Sequence, residues 1–410
     1  MNQTSADRPT PAEPPPPPAQ AGGPAGWWPR RPASNPRTAA FASVAVGVMA
    51  SLVTALVAAS AGGAEDEPDG RRSPGTSASA QAAKVLRVYL DPAGADTNNG
   101  LSPSTPVVGL ARAQQVVAQA KPNVDVEIRV KAGVYTAAPV TWTTYVPGHT
   151  ISFLPADYTY GRGSDAIKAR PVFRGDGSNG FWFRAELPEG HAGGDTRLRF
   201  YYLQVEQYSN GGIMLDGGTK TGTQGMIAGA SRGVNGNTIY GMYFRAIGSK
   251  HTRAGVGFGA VDLINSQNNI IEANDFVEIE NSGALDQQAL IHGVYLAHFS
   301  SGNSIRGNRF TTVSGDPIRT RNGSNSNTIT ANVFTRAGSK AYFSDWFQRS
   351  GEARECASLE NRFYANTLSS GYTGAISAWT VSPGGRTFTG GPGCNPEPTE
   401  RVISWDNVYR

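Results

Sequence analysis

The side chains best suited to chemistry are concentrated between residues 286 and 321. Neighbouring segments offer mostly Ser, Thr, Asn and Gly, whereas this stretch contains Asp286, His292, Tyr295, His298, Asp316, Arg319 and Arg321. An arginine can neutralise the carboxylate of a uronic acid sugar and so make the adjacent C–H proton more acidic. A histidine or tyrosine can then take that proton. The set therefore indicates β-elimination from an acidic polysaccharide.

The roles within this set stay open between several residues. We expect Arg321 or Arg319 to bind the carboxylate of the substrate. The base is expected to be His292, Tyr295 or His298, because each of these side chains can accept a proton. For His292 the alternative is a purely structural, hydrogen-bonded role.

Side chains alternate between the two faces of a strand, and this alternation determines which candidate base can face the arginines. If "HGVYLAH" and "DPIRTR" are the same strand in successive coils, they lie about 4.8 Å apart. His292 and His298 then share a face with Val294, and Tyr295 lies on the opposite face. A bulge at Gly293 would change this count.

Three further residues are predicted to contact substrate: Asp316, Asp286 and Lys250. Lys250 lies in the basic loop "SKHTRAG", which could touch an acidic polymer. The alternative is that this loop is simply solvated. The alternative for Arg319 and Arg321 is also structural, because arginines that form ion pairs with acids such as Asp316 need not bind a substrate carboxylate.

No metal or other cofactor is predicted for the site. Glu278 and Glu280, in "VEIEN", alternate along a predicted strand, so one face could present both carboxylates to a cation. A solvated strand face explains them equally well. Calcium stays open, without a matched set of ligands.

A repeated pattern predicts the elements that position these residues. "NSIRGNRF" begins at Asn303, "NTITANVF" at Asn327 and "NRFYANTL" at Asn361; Phe310 and Phe334 are one 24-residue unit apart. Apolar residues alternate within each unit, which is strand periodicity. A fixed period of this length is the signature of a solenoid. We expect the Asn residues to adopt a left-handed backbone at one corner and to bond to one another between coils.

We therefore predict an all-β fold, a right-handed parallel β-helix of about ten coils over residues 85–410. A short helix is predicted to cap its N-terminal end, with Thr105 as N-cap and Pro106 in the first helical position. Its apolar stripe comprises Leu110, Ala113, Val117 and Ala120.

The opening of this region resembles that of a known group of secreted proteins. "VYLDPAGADTNNGLSPSTP", a short helix and then "VEIRVKAGVY" are similar to the start of right-handed parallel β-helix proteins of the pectate-lyase-like superfamily. The resemblance covers Val85 to Arg410. Members include lyases, hydrolases, epimerases and proteins that only bind, so the likeness implies fold more than function.

Within that superfamily, the stretch from "LIHGVYLAH" to "ITANVF" is similar in layout to chondroitinase-B-like and alginate lyases. The resemblance implies that Arg321, followed by Gly323, is the arginine of those enzymes. Their lysine has no counterpart, and His298 lies one place from its position. Their calcium-binding Asn and two Glu are not found before His292. A non-catalytic, polysaccharide-binding surface module is therefore the alternative to a lyase.

The N-terminal part of the chain predicts export. Residues 1–38 are Pro-rich and read as a disordered tail. Residues 39–61 are apolar and uncharged, and are either a transmembrane anchor or a cleaved signal peptide. Arg30, Arg31 and Arg37 precede this segment and an acidic run follows it, so residues beyond a linker at 62–84 should lie outside the cell.

Cysteine content and charge agree with an extracellular protein. Cys356 and Cys394 are the two cysteines of the chain and are predicted to form a disulfide. The formal net charge of +4 is too small to indicate nucleic acid. The expected partner is a polysaccharide, and the sequence does not determine the oligomeric state.

Overall fold

The computed structural model describes residues 84–161, 169–218, 233–252, 255–349, 355–390 and 394–410. The predicted tail, the apolar segment 39–61 and nearly all of the linker lie outside this part of the chain. Among the described residues, no helix is both long enough and apolar enough to span a membrane.

Three long sheets, in which every strand pairing is parallel, contain nearly all of the described strands. Sheet A has ten strands: Val85–Leu90, Asp125–Val130, Ile151–Pro155, Leu198–Tyr201, Thr238–Tyr240, Ile270–Glu272, Ser304–Arg306, Thr328–Thr330, Asn361–Tyr364 and Val402–Trp405. Sheet B has nine: Val134–Ala137, Val172–Gly175, Gln204–Glu206, Tyr243–Ile247, Asp275–Ile279, Arg309–Val313, Val333–Ala337, Thr367–Leu368 and Val408–Tyr409. Sheet C has eight: Val140–Trp142, Phe181–Glu186, Gly211–Asp216, Gly259–Ile264, His292–Ala297, Ile318–Arg321, Ala341–Trp346 and Ser377–Ser382.

Successive coils visit the sheets in turn, so the predicted parallel β-helix is confirmed. Two short pairs complete the described strands: Gly194–Asp195 pairs in parallel with Val234–Asn235, and Thr387–Phe388 pairs antiparallel with Thr399–Glu400. The right-handed winding stays a prediction.

Phenylalanine rings stack in the interior, one from each of four successive coils of sheet B. The rings of Phe244, Phe276, Phe310 and Phe334 have successive centroid distances of 5.2, 4.6 and 5.0 Å and lie within 10° of parallel. Each ring is fully buried. The repeated Phe of the sequence is therefore a core position, and its burial on every coil stabilises the stack.

Two ladders of asparagines run along the coils, as the repeat predicted, and all their members are buried except the partly exposed Asn407. One contains Asn237, Asn269, Asn303, Asn327 and Asn361, and the other contains Asn274, Asn308, Asn332, Asn366 and Asn407. From the second asparagine of each ladder onward, Oδ1 accepts the backbone N–H and the Nδ2–H of the preceding asparagine, at 2.8–3.1 Å. The ladders thus satisfy polar groups at corners where water cannot reach them.

The expected left-handed backbone is found one residue earlier than predicted. No ladder asparagine has a positive φ; in the first ladder the preceding residues do, namely Gly236, Asn268, Gly302, Ser326 and Glu360, with φ between 54° and 68°. The preceding residue makes the turn, and this leaves the asparagine free to direct its amide inward. The prediction that the asparagines themselves take this conformation was wrong.

The predicted helix is present, but Thr105 is not its N-cap and Pro106 is not its first residue. Helix α1 spans Leu110–Ala120, with Gly109 at its N-cap and no side-chain cap. Thr105 instead donates its hydroxyl hydrogen to Asn99 Oδ1 at 2.8 Å, within the preceding loop. Leu110, Ala113, Val116 and Val117 are the buried residues of the helix. Its role as a cap stays a prediction; helices α2, Ser249–Thr252, and α3, Leu285–Gln288, are single turns.

Candidate active site

The outer face of sheet C carries three of the predicted site residues, Tyr295, Arg319 and Arg321, in two columns. The strand register aligns Asp262, Tyr295, Arg319 and Ser344 on successive coils. A second column contains Ile264, Ala297, Arg321 and Trp346. Because neighbouring coils are about 4.8 Å apart, residues of one column can contact each other directly.

A bend at Gly293 places His292 on this face with Tyr295. Val294 belongs to the core, yet a Cβ on Gly293 would also point inward, 2.5 Å from the ring of Phe310. Two consecutive positions therefore face the interior, which reverses the parity of His292. The centroids of the His292 and Tyr295 rings are 5.2 Å apart.

The same bend occurs in neighbouring strands of sheet C. Ala260 and Val261 are both core residues, as are Tyr342 and Phe343. Pairing nevertheless continues across the bend without a register change. It is therefore shared by the coils and is not a bulge of one strand. Simple alternation, which placed His292 on the face of Val294, was wrong.

Asp316 holds Arg319 and His292 in place from within the fold. Its Oδ2 accepts a hydrogen bond from Arg319 Nη2 at 3.0 Å, and its Oδ1 accepts the backbone N–H groups of Lys340 and Ala341. Burial by itself would raise the pKa of Asp316, but Arg319 and these N–H groups outweigh it and lower that pKa. The carboxyl is fully buried, which leaves it no surface for substrate.

Arg321 is fixed by a second acid and by an indole ring. Its Nε and Nη2 bind the Glu355 carboxylate at 2.8–3.0 Å, and its guanidinium carbon lies 4.7 Å from the centroid of the Trp346 ring. Its remaining nitrogen, Nη1, lies 3.5 Å from the hydroxyl oxygen of Tyr295. Burial opposes the charge of Arg321, but Tyr295 and Glu355 raise its pKa above the ordinary value. One edge of the guanidinium is thus occupied and the other faces the tyrosine.

The two histidines carry their ring protons on different nitrogen atoms. His292 Nδ1 lies 2.7 Å from the carbonyl oxygen of Asp316, so Nδ1 carries the proton and Nε2 keeps a lone pair. Asn322 accepts the N–H of Cys356 with its Oδ1, so its Nδ2 donates to His298 Nδ1 at 2.9 Å. His298 therefore carries its proton on Nε2. That atom is a hydrogen-bond donor in the neutral ring, which disfavours His298 as the base.

Both rings are neutral at ordinary pH. Burial, followed by the charge of Arg319, lowers the pKa of His292 to about 3. Burial, followed by the charge of Arg321, lowers the pKa of His298 to about 4. Since each ring lies beside an arginine, protonation would add a second positive charge at the same place.

Asp262 is a residue that the sequence reasoning missed. It aligns with Tyr295 in the first column and is 2% exposed. No described group makes a hydrogen bond to its Oδ1, and burial raises its pKa well above the ordinary value. An acid within the otherwise apolar strand "GAVDLI" was the available signal. Glu355 was also missed, because nothing in its local sequence relates it to Arg321.

Lys250 lies away from these columns, at a corner between sheets B and C. Its Nζ is 2.6 Å from Glu280 Oε1, and His251 Nε2 is 3.1 Å from Glu280 Oε2. Tyr372 donates its hydroxyl hydrogen to the same carboxylate at 2.6 Å. Burial alone would raise the pKa of Glu280, but these three partners lower it to about 2. The corner is thus a closed cluster of opposite charges.

The remaining acids do not join the site. Glu278 has a positive φ and lies 3.4 Å from Arg245, while Glu280 is buried in the corner cluster. The expectation that these two glutamates share one face was wrong, because the left-handed residue interrupts the alternation. Asp286 is exposed on helix α3. Among the described residues, no group of three or more His, Cys, Asp or Glu side chains could hold a metal ion.

The predicted disulfide between Cys356 and Cys394 is present. It joins segments 38 residues apart, and its first cysteine directly follows Glu355. The bridge therefore ties the segment that provides the carboxylate partner of Arg321.

No protein-family model matches the chain, and no curated protein matches it. Among solved structures, it is similar to an alginate lyase from Paenibacillus sp. str. FPU-7, with 16% identity over 73% of this chain and 92% of the other and a TM-score of 0.45. A rhamnogalacturonan lyase matches at 16% identity over 78% and 80%, with a TM-score of 0.44. The pectate lyase Pel9A matches at 13% identity over 80% of both chains, with a TM-score of 0.44. Identities this low assign no activity to this chain.

Proposed function

We propose that the protein is an extracellular carbohydrate-active enzyme that cleaves a uronic acid polysaccharide by β-elimination on the outer face of sheet C. The observation that carries this proposal is the contact between Tyr295 and Arg321, at 3.5 Å. A group that can accept a proton lies beside a fixed cation, on a sheet face where an extended polymer can lie. His292 lies beside Tyr295 and Arg319, and His298 lies beside Arg321.

The geometry supports different roles for Arg321, as the group that binds the carboxylate, and Tyr295, as the base. Glu355 occupies the Nε and Nη2 edge of Arg321, so a substrate carboxylate would bind at Nη1. Neutralising that carboxylate makes the C5 proton of the uronate more acidic. Tyr295, acting as the phenolate, takes the C5 proton, the C–H electrons form the C4–C5 double bond, and the C4–O4 bond breaks. The proton that Tyr295 has taken then passes to the leaving O4, which restores the phenolate.

The neighbouring side chains position these two and extend the subsite. His298 offers its Nε2–H as a donor to the substrate carboxylate or to O4. Asp316 orients both Arg319, through its carboxylate, and His292, through its backbone carbonyl. Arg319 is the second candidate for a sugar carboxylate. Lys250 and Asp286 would touch the polymer only beyond the edges of the sheet. No metal or other cofactor has a part in the proposed reaction.

The test is cleavage of a panel containing alginate, pectate and chondroitin, followed by the ultraviolet absorbance of the unsaturated sugar. Tyr295→Phe should lower the rate at least 100-fold, the usual effect of losing a general base. Tyr409→Phe, at an exposed tyrosine of sheet B, is the matched control and should cleave like the wild type. Wild-type rates in Tyr295→Phe would refute the assignment.

A second candidate is a non-catalytic polysaccharide-binding module, and one observation favours it. Both Arg319 and Arg321 are already paired with buried carboxylates, those of Asp316 and Glu355, so the groove has little net charge to offer. Measurable binding of a polymer, with no unsaturated product from any member of the panel, would defeat the lyase and support the module.

A further inference from the structure

A cluster of tyrosines lies on the outer face of sheet A, away from the columns of sheet C. Tyr201 and Tyr240 are paired on adjacent strands, with ring centroids 6.4 Å apart. Tyr160, in the loop after strand Ile151–Pro155, is 49% exposed, and its ring lies 5.9 Å from that of Tyr201. We call these three residues the tyrosine platform. Together they present aromatic surface from neighbouring coils to solvent.

Two further tyrosines are buried beneath the platform and pack against its rings. Tyr158 is buried and stacks on Tyr201, with centroids 5.9 Å apart and an interplanar angle of 18°. Tyr202 is also buried and meets Tyr240 edge-on, with centroids 5.6 Å apart. Packed rings lose little conformational freedom when a ligand binds, so the platform is preorganised.

Two arginines beside the platform lack acidic partners. Arg199 is on the same strand face as Tyr201, and its Nη1 donates to the carbonyl oxygens of Leu198 and Gly236. Arg170 lies over the ring of Tyr202, 5.6 Å from its centroid, and its Nη1 donates to a backbone carbonyl. No carboxylate in the described part of the chain forms an ion pair with either residue.

Burial lowers the pKa of both Arg170 and Arg199, though arginine stays protonated in proteins. Asp275 and Asp195 act on Arg170 and Arg199 through space, but among the described residues neither arginine forms an ion pair, and burial outweighs these charges. In sheet C the reverse holds, since Arg319 and Arg321 each have a buried carboxylate. An anionic ligand would offset the lost solvation at sheet A more than at sheet C.

We propose that the tyrosine platform, with Arg170 and Arg199, is a second binding surface for an anionic polysaccharide. The C–H face of a sugar ring is attracted to the negative face of an aromatic ring, and phenol groups can bond to sugar hydroxyls. The arginines supply the anion specificity. A single-stranded nucleic acid would use similar chemistry. The disulfide favours a polysaccharide, because disulfides persist in oxidising, extracytoplasmic compartments.

The experiment measures migration in native gels that contain alginate, pectate or neutral dextran. Tyr160→Ala/Tyr201→Ala should weaken binding to the anionic polymers roughly tenfold, since two stacking rings are lost. Arg199→Gln keeps the rings and should weaken the same binding while leaving the thermal midpoint close to that of the wild type. Tyr409→Ala, at an exposed tyrosine off the platform, is the control and should bind like the wild type.

A separate variant distinguishes this surface from the proposed active site. Tyr295→Phe should lose cleavage but keep its retardation in the gel, because it leaves the platform intact. The proposal is overturned if the double variant migrates like the wild type, or if the wild type binds no anionic polymer. Equal retardation by dextran, or tighter binding to an oligo(dT) strand than to alginate, would overturn it as well.

Discussion

At the scale of single residues, two buried acids, Asp262 in sheet C and Asp316 just before a strand of that sheet, differ in pKa because their neighbours differ. Asp316 accepts hydrogen bonds from Arg319 and from backbone N–H groups, so its charge is stabilised and its pKa is lowered. Asp262 has no such partner at Oδ1, and burial raises its pKa. The same residue type thus favours the carboxylate in one place and the neutral acid in the other.

This contrast predicts opposite effects of replacing the two acids by asparagine. The folded-state pKa of Asp262 lies above its unfolded value of about 3.9, so the stability of this site is greatest below that pH and falls as pH rises. Asp262→Asn should therefore raise the free energy of unfolding at pH 7, on the order of 1 kcal/mol or more, and change it little near pH 3.5. Asp316→Asn should lower it at pH 7. Urea midpoints at both pH values test this; destabilisation by Asp262→Asn at pH 7 would contradict it.

At the scale of elements, spacing in the sequence predicted the ladders because one coil repeats the next. Asn303 and Asn327 recur with the same apolar neighbours, so the stacking of their amides follows from the period. The position of the left-handed turn residue was harder to predict from the sequence, because residues as different as Gly302 and Glu360 occupy it. Similarly, the bend at Gly293 is visible only when adjacent coils show which side chains face the core.

The ladders should contribute more to stability than the exposed polar residues of the same coil. Asn332 accepts two hydrogen bonds from Asn308 and donates to Ile305 O and Asn366 Oδ1. Asn332→Ala would leave these buried groups unsatisfied, so the free energy of unfolding should fall by roughly 3 kcal/mol or more. Thr330→Ala, on the outer face nearby, should change it by less than about 0.5 kcal/mol. Similar urea midpoints for the two variants would show that the ladder adds no special stability.

At the scale of the whole molecule, the site depends on contacts between coils that local sequence does not reveal. Arg321 meets Trp346 on the next coil, 25 residues later, and Glu355, 34 residues later, because insertions of different length separate the strands. Tyr295 and Arg319, on adjacent strands, were proposed together from the sequence because their strands follow each other closely. Prediction succeeded where the period was regular and failed where a partner lay beyond an insertion.

The residues before the apolar segment 39–61 predict on which side of a membrane the molecule works. Arg30, Arg31 and Arg37 precede the apolar segment 39–61, and this asymmetry favours a cytoplasmic N-terminus with residues 85–410 outside the cell. The disulfide between Cys356 and Cys394 fits an oxidising compartment. On intact cells, we expect added protease to remove the β-helix, and a thiol reagent to label the cysteines only after reduction. A cytoplasmic marker must stay protected in the same sample. Equal protection of the β-helix would refute export, whereas N-terminal sequencing of the mature chain would distinguish an anchor from a cleaved signal peptide.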